Sequence, residues 1–368
     1  MYKILHVAYS TDAGGICSVI LNYYSNINRN KFHFDLAQCE NYRGTAIAEY
    51  EKEKFKIYFI GNKSGIYCFK HAFLLFNILR KEKYDVIHVH TAHTSWVDLM
   101  VALFCGVKIR IVHAHNAERE INTLKQKIRI ITGRLLLNVF ATKKLACGRD
   151  AALFMYGKNA LTDKKVLILP NAIDLKKYKY SEQKRKIIRN EFKINSDTLV
   201  YGTVGRLSYE KNQAFLINTL EEVKKIHDDV ILLIVGAGVE REHLEKLAIE
   251  SGLKDHIIFT NNREDIDCIL SAMDVFVLPS LYEGFPVTAI EAKASGLPVL
   301  LSDRITDELA AYGEFKYLSL KKDYKYWAKE IVISGYDAIE RKKIKLINEE
   351  QVDIKKTAAI LEEIYQSL

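Results

Sequence analysis

Proline is scarce in this 368-residue chain, with four residues, and no stretch is low in complexity. Linker-rich and collagen-like readings are excluded. A disordered chain is excluded too, because 49% of the residues are hydrophobic and 27% are charged. Long apolar runs are missing: the longest, around 99–107 and 135–141, fall well short of the roughly 18 residues that span a bilayer. No signal sequence is expected at this N-terminus. Met1-Tyr2-Lys3-Ile4-Leu5-His6-Val7 has no apolar h-region with a small-residue cleavage site, and it reads as a first strand. The six cysteines (17, 39, 68, 105, 147, 268) include no CxxC pair and mostly sit in apolar stretches. That spacing argues against zinc or disulfide frameworks and fits reduced thiols in a cytoplasmic protein.

What is present is a basic excess, unevenly placed. The net charge is +8, but residues 1–170 hold 25 Lys and Arg against 13 Asp and Glu, and the rest hold 29 against 33. The first half is therefore expected to meet something anionic. Single cores stop growing near about 250–300 residues, so two domains are expected. Strand-like runs alternate with helical ones throughout. They lie at 3–8, 33–39, 55–60, 85–90, 109–115, 144–147 and 166–169, and again at 199–204, 230–235, 256–260, 274–278, 298–302 and 315–319. Continuous apolar runs such as Val-Ile-Leu-Leu-Ile-Val at 230–235 suit parallel strands covered on both faces. The expectation is α/β, with two doubly wound Rossmann-like sheets facing a central cleft. The boundary falls near Leu169–Asp174, and the basic stretch that follows (Lys176, Lys177, Lys179, Lys184, Arg185, Lys186, Arg189) reads as a solvated connector.

Four segments carry chemistry. In the first, a buried strand at 274–278 runs into Pro279-Ser280-Leu281-Tyr282-Glu283-Gly284-Phe285-Pro286, and a helix starts near Pro286. Its first amides make an anion site. Glu283 in the loop and Glu291 in the helix repel phosphate but accept bidentately from vicinal hydroxyls. A polyol on each side of a diphosphate is a nucleotide sugar. The plainer alternative makes Glu283 a helix cap and leaves Glu291 on a solvated face. In the second segment, Gly205-Arg206-Leu207-Ser208-Tyr209-Glu210-Lys211-Asn212, two cations follow a strand end. They suit a diphosphate leaving group that gains charge, although a surface pair such as Glu210–Lys211 is equally readable. The third, Ser10–Ile16, contains Gly14-Gly15, which lets backbone approach a ligand but is no dinucleotide fingerprint. The fourth is a histidine set: His88, His90, His93, His113 and His115. No carboxylate or cysteine has matching metal-ligand spacing, so no metal is expected. A neutral histidine at the cleft edge, bonding a sugar hydroxyl, is preferred, and His88 reads as a buried core residue. Asp265-Ile266-Asp267 mimics a metal motif but reads as helix capping. Gly236-Ala237-Gly238 reads as a strand-to-helix turn near a base.

Taken together, these segments resemble the retaining glycosyltransferases of family 4, of GT-B fold, in the form found in bacterial capsular and exopolysaccharide synthesis. The resemblance is strongest from 199 to 303, where Gly205-Arg206-Leu207…Lys211-Asn212, Val235–Gly238, Asp274–Ser280, Glu283-x7-Glu291 and Ala294–Val299 follow the family order. It implies domains of 1–172, completed by a C-terminal helix within 350–368, and 173–349. It implies a metal- and cofactor-independent hexosyltransferase. Arg206 and Lys211 would hold the donor diphosphate, Glu283 the sugar hydroxyls and Glu291 the ribose. Gly14, Gly15, Gly236, Gly284, Phe285, Val287 and Thr288 would line the donor, and His115, or alternatively His113, would touch the sugar. UDP is the implied carrier. No nucleophile is evident, and the resemblance implies attack from the leaving-group side. Two departures stand out: Ala172 where the family has Gly, and Asn261-Asn262 without the usual glycine. From 121 to 149 there are seven Lys or Arg and no acid, interleaved with Ile128, Ile130, Ile131 and Leu135–Leu137. A basic amphipathic helix there would suit the inner membrane surface and a polyprenyl-diphosphate-linked or glycan acceptor. No nucleic-acid module accompanies the charge. Two alternatives remain: a nucleotide-sugar epimerase of the same fold, which would need acid/base carboxylates at the sugar, and a catalytically silent partner subunit.

Overall fold

The computed structural model describes residues 1–11, 15–44, 46–63, 67–115, 123–162, 166–337, 341 and 346–367. Gly14 and Asn116 lie outside them, as do Ile121 and Asn122 at the head of the basic stretch. The chain divides into two compact units, Met1–Ala172 with Glu350–Leu368, and Ile173–Glu349.

The first unit is a seven-stranded parallel sheet ordered β3-β2-β1-β4-β5-β6-β7. Its strands are β1 (Tyr2–Ala8), β2 (Phe32–Gln38), β3 (Ile57–Phe59), β4 (Val86–Val89), β5 (Ile109–Ala114), β6 (Lys143–Ala146) and β7 (Val166–Ile168). The crossovers are α1 (Gly15–Asn26), α2 (Ile47–Lys52), α3 (Tyr67–Glu82), α4 (Trp96–Phe104), α5 (Leu124–Phe140) and α6 (Arg149–Tyr156). The second unit is a six-stranded parallel sheet ordered β10-β9-β8-β11-β12-β13. It comprises β8 (Leu199–Val204), β9 (Val230–Val235), β10 (Ile257–Thr260), β11 (Val275–Leu278), β12 (Val299–Ser302) and β13 (Lys316–Leu318). Its helices are α7 (Glu182–Glu191), α8 (Gln213–Ile226), α9 (Arg241–Glu250), α10 (Ile266–Ala272), α11 (Val287–Ala294) and α12 (Tyr324–Asp337). A short α13 (Glu349–Val352) leads into α14 (Ile354–Gln366).

Both orders reverse direction beside their first strand, at β1/β4 and at β8/β11. In open parallel sheets that reversal opens a crevice at the carboxyl ends of the strands, where ligands bind. The apolar runs explain the sheets: β9 and β11 are buried almost throughout. α14 begins at Asp353, whose carboxylate accepts from the Lys355 amide. Its stripe of Ile354, Ala358, Leu361, Ile364 and Tyr365 enters the same core as Ile4, Phe34, Val86 and Ile111.

The stretch after residue 174 is more than a solvated connector. Arg189 is buried, pairs with Asp274 at 2.8 Å and donates to the Ala272 carbonyl at 3.1 Å. Arg185 pairs with the same aspartate at 2.8 Å. These cations close the unsatisfied carbonyls at the end of α10. A buried ion pair that sequence inspection passed over sits in the first unit: Lys63 bonds Asp98, which also accepts from His71 Nε2 at 2.7 Å.

Candidate active site

In the second unit, the loops after β8 and β11 are laced together at the reversal point. Beyond β8 the chain makes a single 3-10 turn, Tyr209–Lys211, and Asn212 then takes a left-handed conformation, φ 54° and ψ 39°. From there its amide nitrogen Nδ2 reaches the Pro279 carbonyl at 3.1 Å. The Leu281 amide donates to the Glu210 carbonyl at 2.8 Å. Gln213 Nε2 holds the Arg206 carbonyl at 2.9 Å.

This lacing joins Lys211 to Glu283, 72 positions apart in sequence. The ammonium of Lys211 bonds Glu283 Oε1, and the hydroxyl of Ser280 donates to the same oxygen at 2.9 Å. Lys211 therefore does not pair with its neighbour Glu210. That carboxylate faces Arg206 at 3.3 Å, where the guanidinium is more than half exposed and worth little as a surface pair. Glu283 is not the helix cap either: the N-cap of α11 is Pro286, and no side-chain cap bond is made there. The Val287 and Thr288 amides are thus left at the positive end of the helix.

Glu291 lies on the buried face of α11, not a solvated one. Burial pushes its carboxyl up to about 7, against partial relief from the Tyr178 hydroxyl, which hydrogen-bonds to it. Tyr178 is itself buried and carried no sequence signal. Phe285 packs edge-on against Tyr312 with ring centroids 5.6 Å apart, so its side chain serves the core and only its backbone remains for a ligand. Gly236 has φ +140°, and a Cβ there would strike the Gly205 carbonyl at 2.0 Å. Its glycine is demanded by two loops meeting. Asp265 occupies the N-cap position of α10 but does not cap it. Its carboxylate forks with Arg263, at 2.8 and 2.7 Å.

In the first unit, the ends of β1, β4 and β5 carry a histidine layer. β1 and β4 pair with His6 opposite His88. Two chains of contacts run through the layer. His6 Nδ1 meets His90 Nε2 at 2.9 Å, and His90 Nδ1 meets His115 Nε2 at 2.9 Å. His113 Nδ1 meets His88 Nε2 at 3.3 Å, and His88 Nδ1 meets the Tyr365 hydroxyl of α14 at 2.8 Å. His88 is a satisfied core residue, as read from the sequence. His6 was missed, because only the β1–β4 pairing brings it in. His93 stays outside and bonds the Phe154 carbonyl at 3.2 Å. Burial holds His6 down to about 3 and His115 to about 4. It pulls His88, His90 and His113 well below the usual range, with neighbouring histidines adding to the effect. Gly15 opens α1 beside this layer's first strand, and a Cβ on it would meet open space.

The basic segment divides. Lys144 is buried on Asn138 at 2.6 Å, and Arg134 donates to the Phe154 carbonyl at 2.8 Å. Lys125, Lys127 and Arg129 remain exposed along α5, beside Leu124, Ile128, Ile131, Leu135 and Val139, all more than half exposed. Unforeseen from the sequence, α3 exposes Tyr67, Phe69 and Phe73 as well.

Residues 13–177 match the model of Glycosyltransferase Family 4, and residues 184–332 that of Glycosyl transferases group 1. A Bacillus subtilis protein named as a glycosyltransferase, EpsF, is 30% identical over 339 residues, covering 89% of this chain and 86% of its own. The chain belongs to the family-4 glycosyltransferases. This glycosyltransferase is also 27% identical, over 82% of its length and 79% of the relative's, to the Escherichia coli UDP-Gal:alpha-D-GlcNAc-diphosphoundecaprenol alpha-1,3-galactosyltransferase. Its fold matches that of Anabaena HepE in complex with UDP and glucose, with a TM-score of 0.79, 19% identity and full coverage of both chains. The fold is therefore GT-B, two parallel-sheet α/β domains of seven and six strands.

Proposed function

We propose that this glycosyltransferase moves a sugar, with retention, from a UDP-linked donor to a lipid-diphosphate-linked or glycan acceptor in capsule or exopolysaccharide synthesis. The observation that carries the reading is Glu283 fixed through one oxygen by Lys211 and Ser280, beside the uncapped start of α11. Oε2 is left for the donor-sugar hydroxyls. Lys211 and the exposed Arg206 neutralise the diphosphate as its bond to the sugar breaks, with the Val287 and Thr288 amides adding dipole. Glu291 accepts from the ribose diol, and Gly236 and Gly284 border the nucleotide. These roles, with Gly14 and Gly15 near the phosphates and His115 at the sugar, follow the family resemblance. The chemistry then rests on positioning and charge, with no metal taking part in the transfer. The acceptor class comes from the Escherichia coli relative.

The deciding experiment is an NMR time course with pooled UDP-, GDP- and ADP-sugars and no acceptor. Slow release of UDP with free sugar is expected. Interconversion of nucleotide sugars without release would instead assign an epimerase.

Gly15→Ala tests the backbone approach. Nothing blocks the added methyl in the structure, so the melting temperature should hold. The donor's KM should nonetheless rise roughly tenfold, since small misplacements at a reacting site are costly. An unchanged KM would remove Gly15 from the donor's surroundings.

We infer that the enzyme works at the cytoplasmic membrane face. Support comes from the exposed apolar ladder and the three exposed cations of α5, Lys125, Lys127 and Arg129. No described helix is long and apolar enough to cross a membrane. Ile131→Glu with Leu135→Glu should cut co-sedimentation with phosphatidylglycerol vesicles about tenfold, leaving acceptor-free donor hydrolysis intact. Equal sedimentation of the variant would refute this attachment.

A further inference from the structure

The histidine layer holds more than one imidazole facing a sugar requires. Two sets of three, His6 with His88 and His90, and His90 with His113 and His115, place a nitrogen from each member within 4.8 Å of the others. We propose that the outer set, His90, His113 and His115, is a binding site for a nitrogen-preferring divalent transition metal of the zinc class. The inner set fits less well: both nitrogens of His88 are engaged by groups outside that set, Tyr365 and His113, whereas the contact an ion would replace in the outer set, His90 Nδ1 to His115 Nε2, lies between two of its own members.

The outer set has the opposite character. His90 Nδ1 and His115 Nε2 face one another at 2.9 Å. Among the described residues the fully buried Nε2 of His113 makes no hydrogen bond. The Leu169 backbone lies near the ring and favours its protonated form against the effect of burial. The far nitrogen of each ligand meets a supporting group, the arrangement that fixes tautomer and ring direction in histidine metal sites. His90 Nε2 rests on His6, and His113 Nδ1 on His88, which is braced in turn by Tyr365. His115 is set against the Asn171 side chain, a hydrogen-bonding neighbour that favours its protonated form against the effect of burial.

The chemistry suits the ion. Imidazoles kept neutral by burial have no proton to lose on ligation. Three nitrogens without a carboxylate favour zinc, nickel or copper over magnesium or calcium. His115 is only partly buried and gives the site its mouth. Three protein ligands leave a coordination position open. The proposal does not rest on the sugar-transfer reading, because uptake of the ion is read on the chain without donor or acceptor.

The test uses the full chain, stripped with chelator and titrated with Zn²⁺ by calorimetry, with Co²⁺ absorption reporting geometry. One ion per chain is expected, with the intense visible bands of a four-coordinate cobalt site. A rise in melting temperature should scale with free zinc over the dissociation constant. His115→Gln, at the mouth and least costly to the core, should weaken zinc at least tenfold. His88→Gln, which removes only a supporting bond, should weaken it less. Absence of uptake at equimolar zinc would overturn the proposal. So would uptake unchanged in a His115→Gln protein that melts like the parent, since that would place the ion elsewhere on the surface.

Discussion

Glu283→Gln should lower kcat/KM for the donor by about 10²–10³, the scale for losing one preorganised charged partner at a reacting centre. Glu283→Ala should go further. The fold should tolerate both. The side chain is 13% exposed and its Lys211 partner 19%, so breaking the pair costs on the order of 1 kcal/mol after screening. That is a few degrees of melting temperature for a unit of this size. The position also separates two meanings of the ion pair. If Glu283 served only to aim Lys211, then Lys211→Met and the double variant would be as impaired as Glu283→Gln. If Glu283 binds the sugar, its loss adds to that of Lys211. A donor lacking the bonded hydroxyl should then lose little more in the Glu283→Gln enzyme. Wild-type turnover by Glu283→Ala would dismiss the assignment.

Glu291→Gln should make the protein more stable in alkali while making it a worse enzyme. The folded carboxyl titrates at about 7, raised chiefly by burial from 4.5. Its contribution is therefore fully present below the unfolded value and is lost as pH climbs through 7. By pH 8 the buried carboxylate costs roughly 3 kcal/mol. A glutamine carries no such charge. The variant should match the parent near pH 4 and exceed it by up to that amount at pH 8, measured by denaturant midpoints at fixed slope. Function moves the other way. The ribose needs the ionised form, so the parent's KM for donor should rise as pH falls below 7. Glu291→Gln should bind weakly at every pH, by about 10–100-fold. Superimposable stability curves from pH 5 to 9 would show that this carboxyl does not titrate as described.

The sheets were legible because their inner strands, such as β4, β8, β9, β11 and β12, are buried and read as largely apolar runs. Observed strand ends fall within two residues of those read from Val230–Val235, Leu199–Val204 and their neighbours. The motif loops were legible because glycine and proline punctuate them. What escaped was pairing over distance. Lys211 and Glu283 were assigned separate tasks, and only the lacing of two loops joins them. His6 looked like one more residue of a first strand, and Tyr178 like part of a charged connector. Lys144 and Arg134 counted as surface charge, although the Asn138 amide oxygen and a helix-end carbonyl engage them. Sequence shows a residue's type and its local period. The partner that decides its role is set by which strands lie side by side.

The manner in which α14 completes the first unit has a consequence for synthesis. That unit's core contains Ile354, Leu361 and Tyr365, yet these leave the ribosome only after all of 173–349 has emerged. The second unit is continuous and can close on the ribosome, whereas the first must wait with an open apolar trough. The half that starts first therefore finishes last, and its apolar surface stays open while the other half is already made.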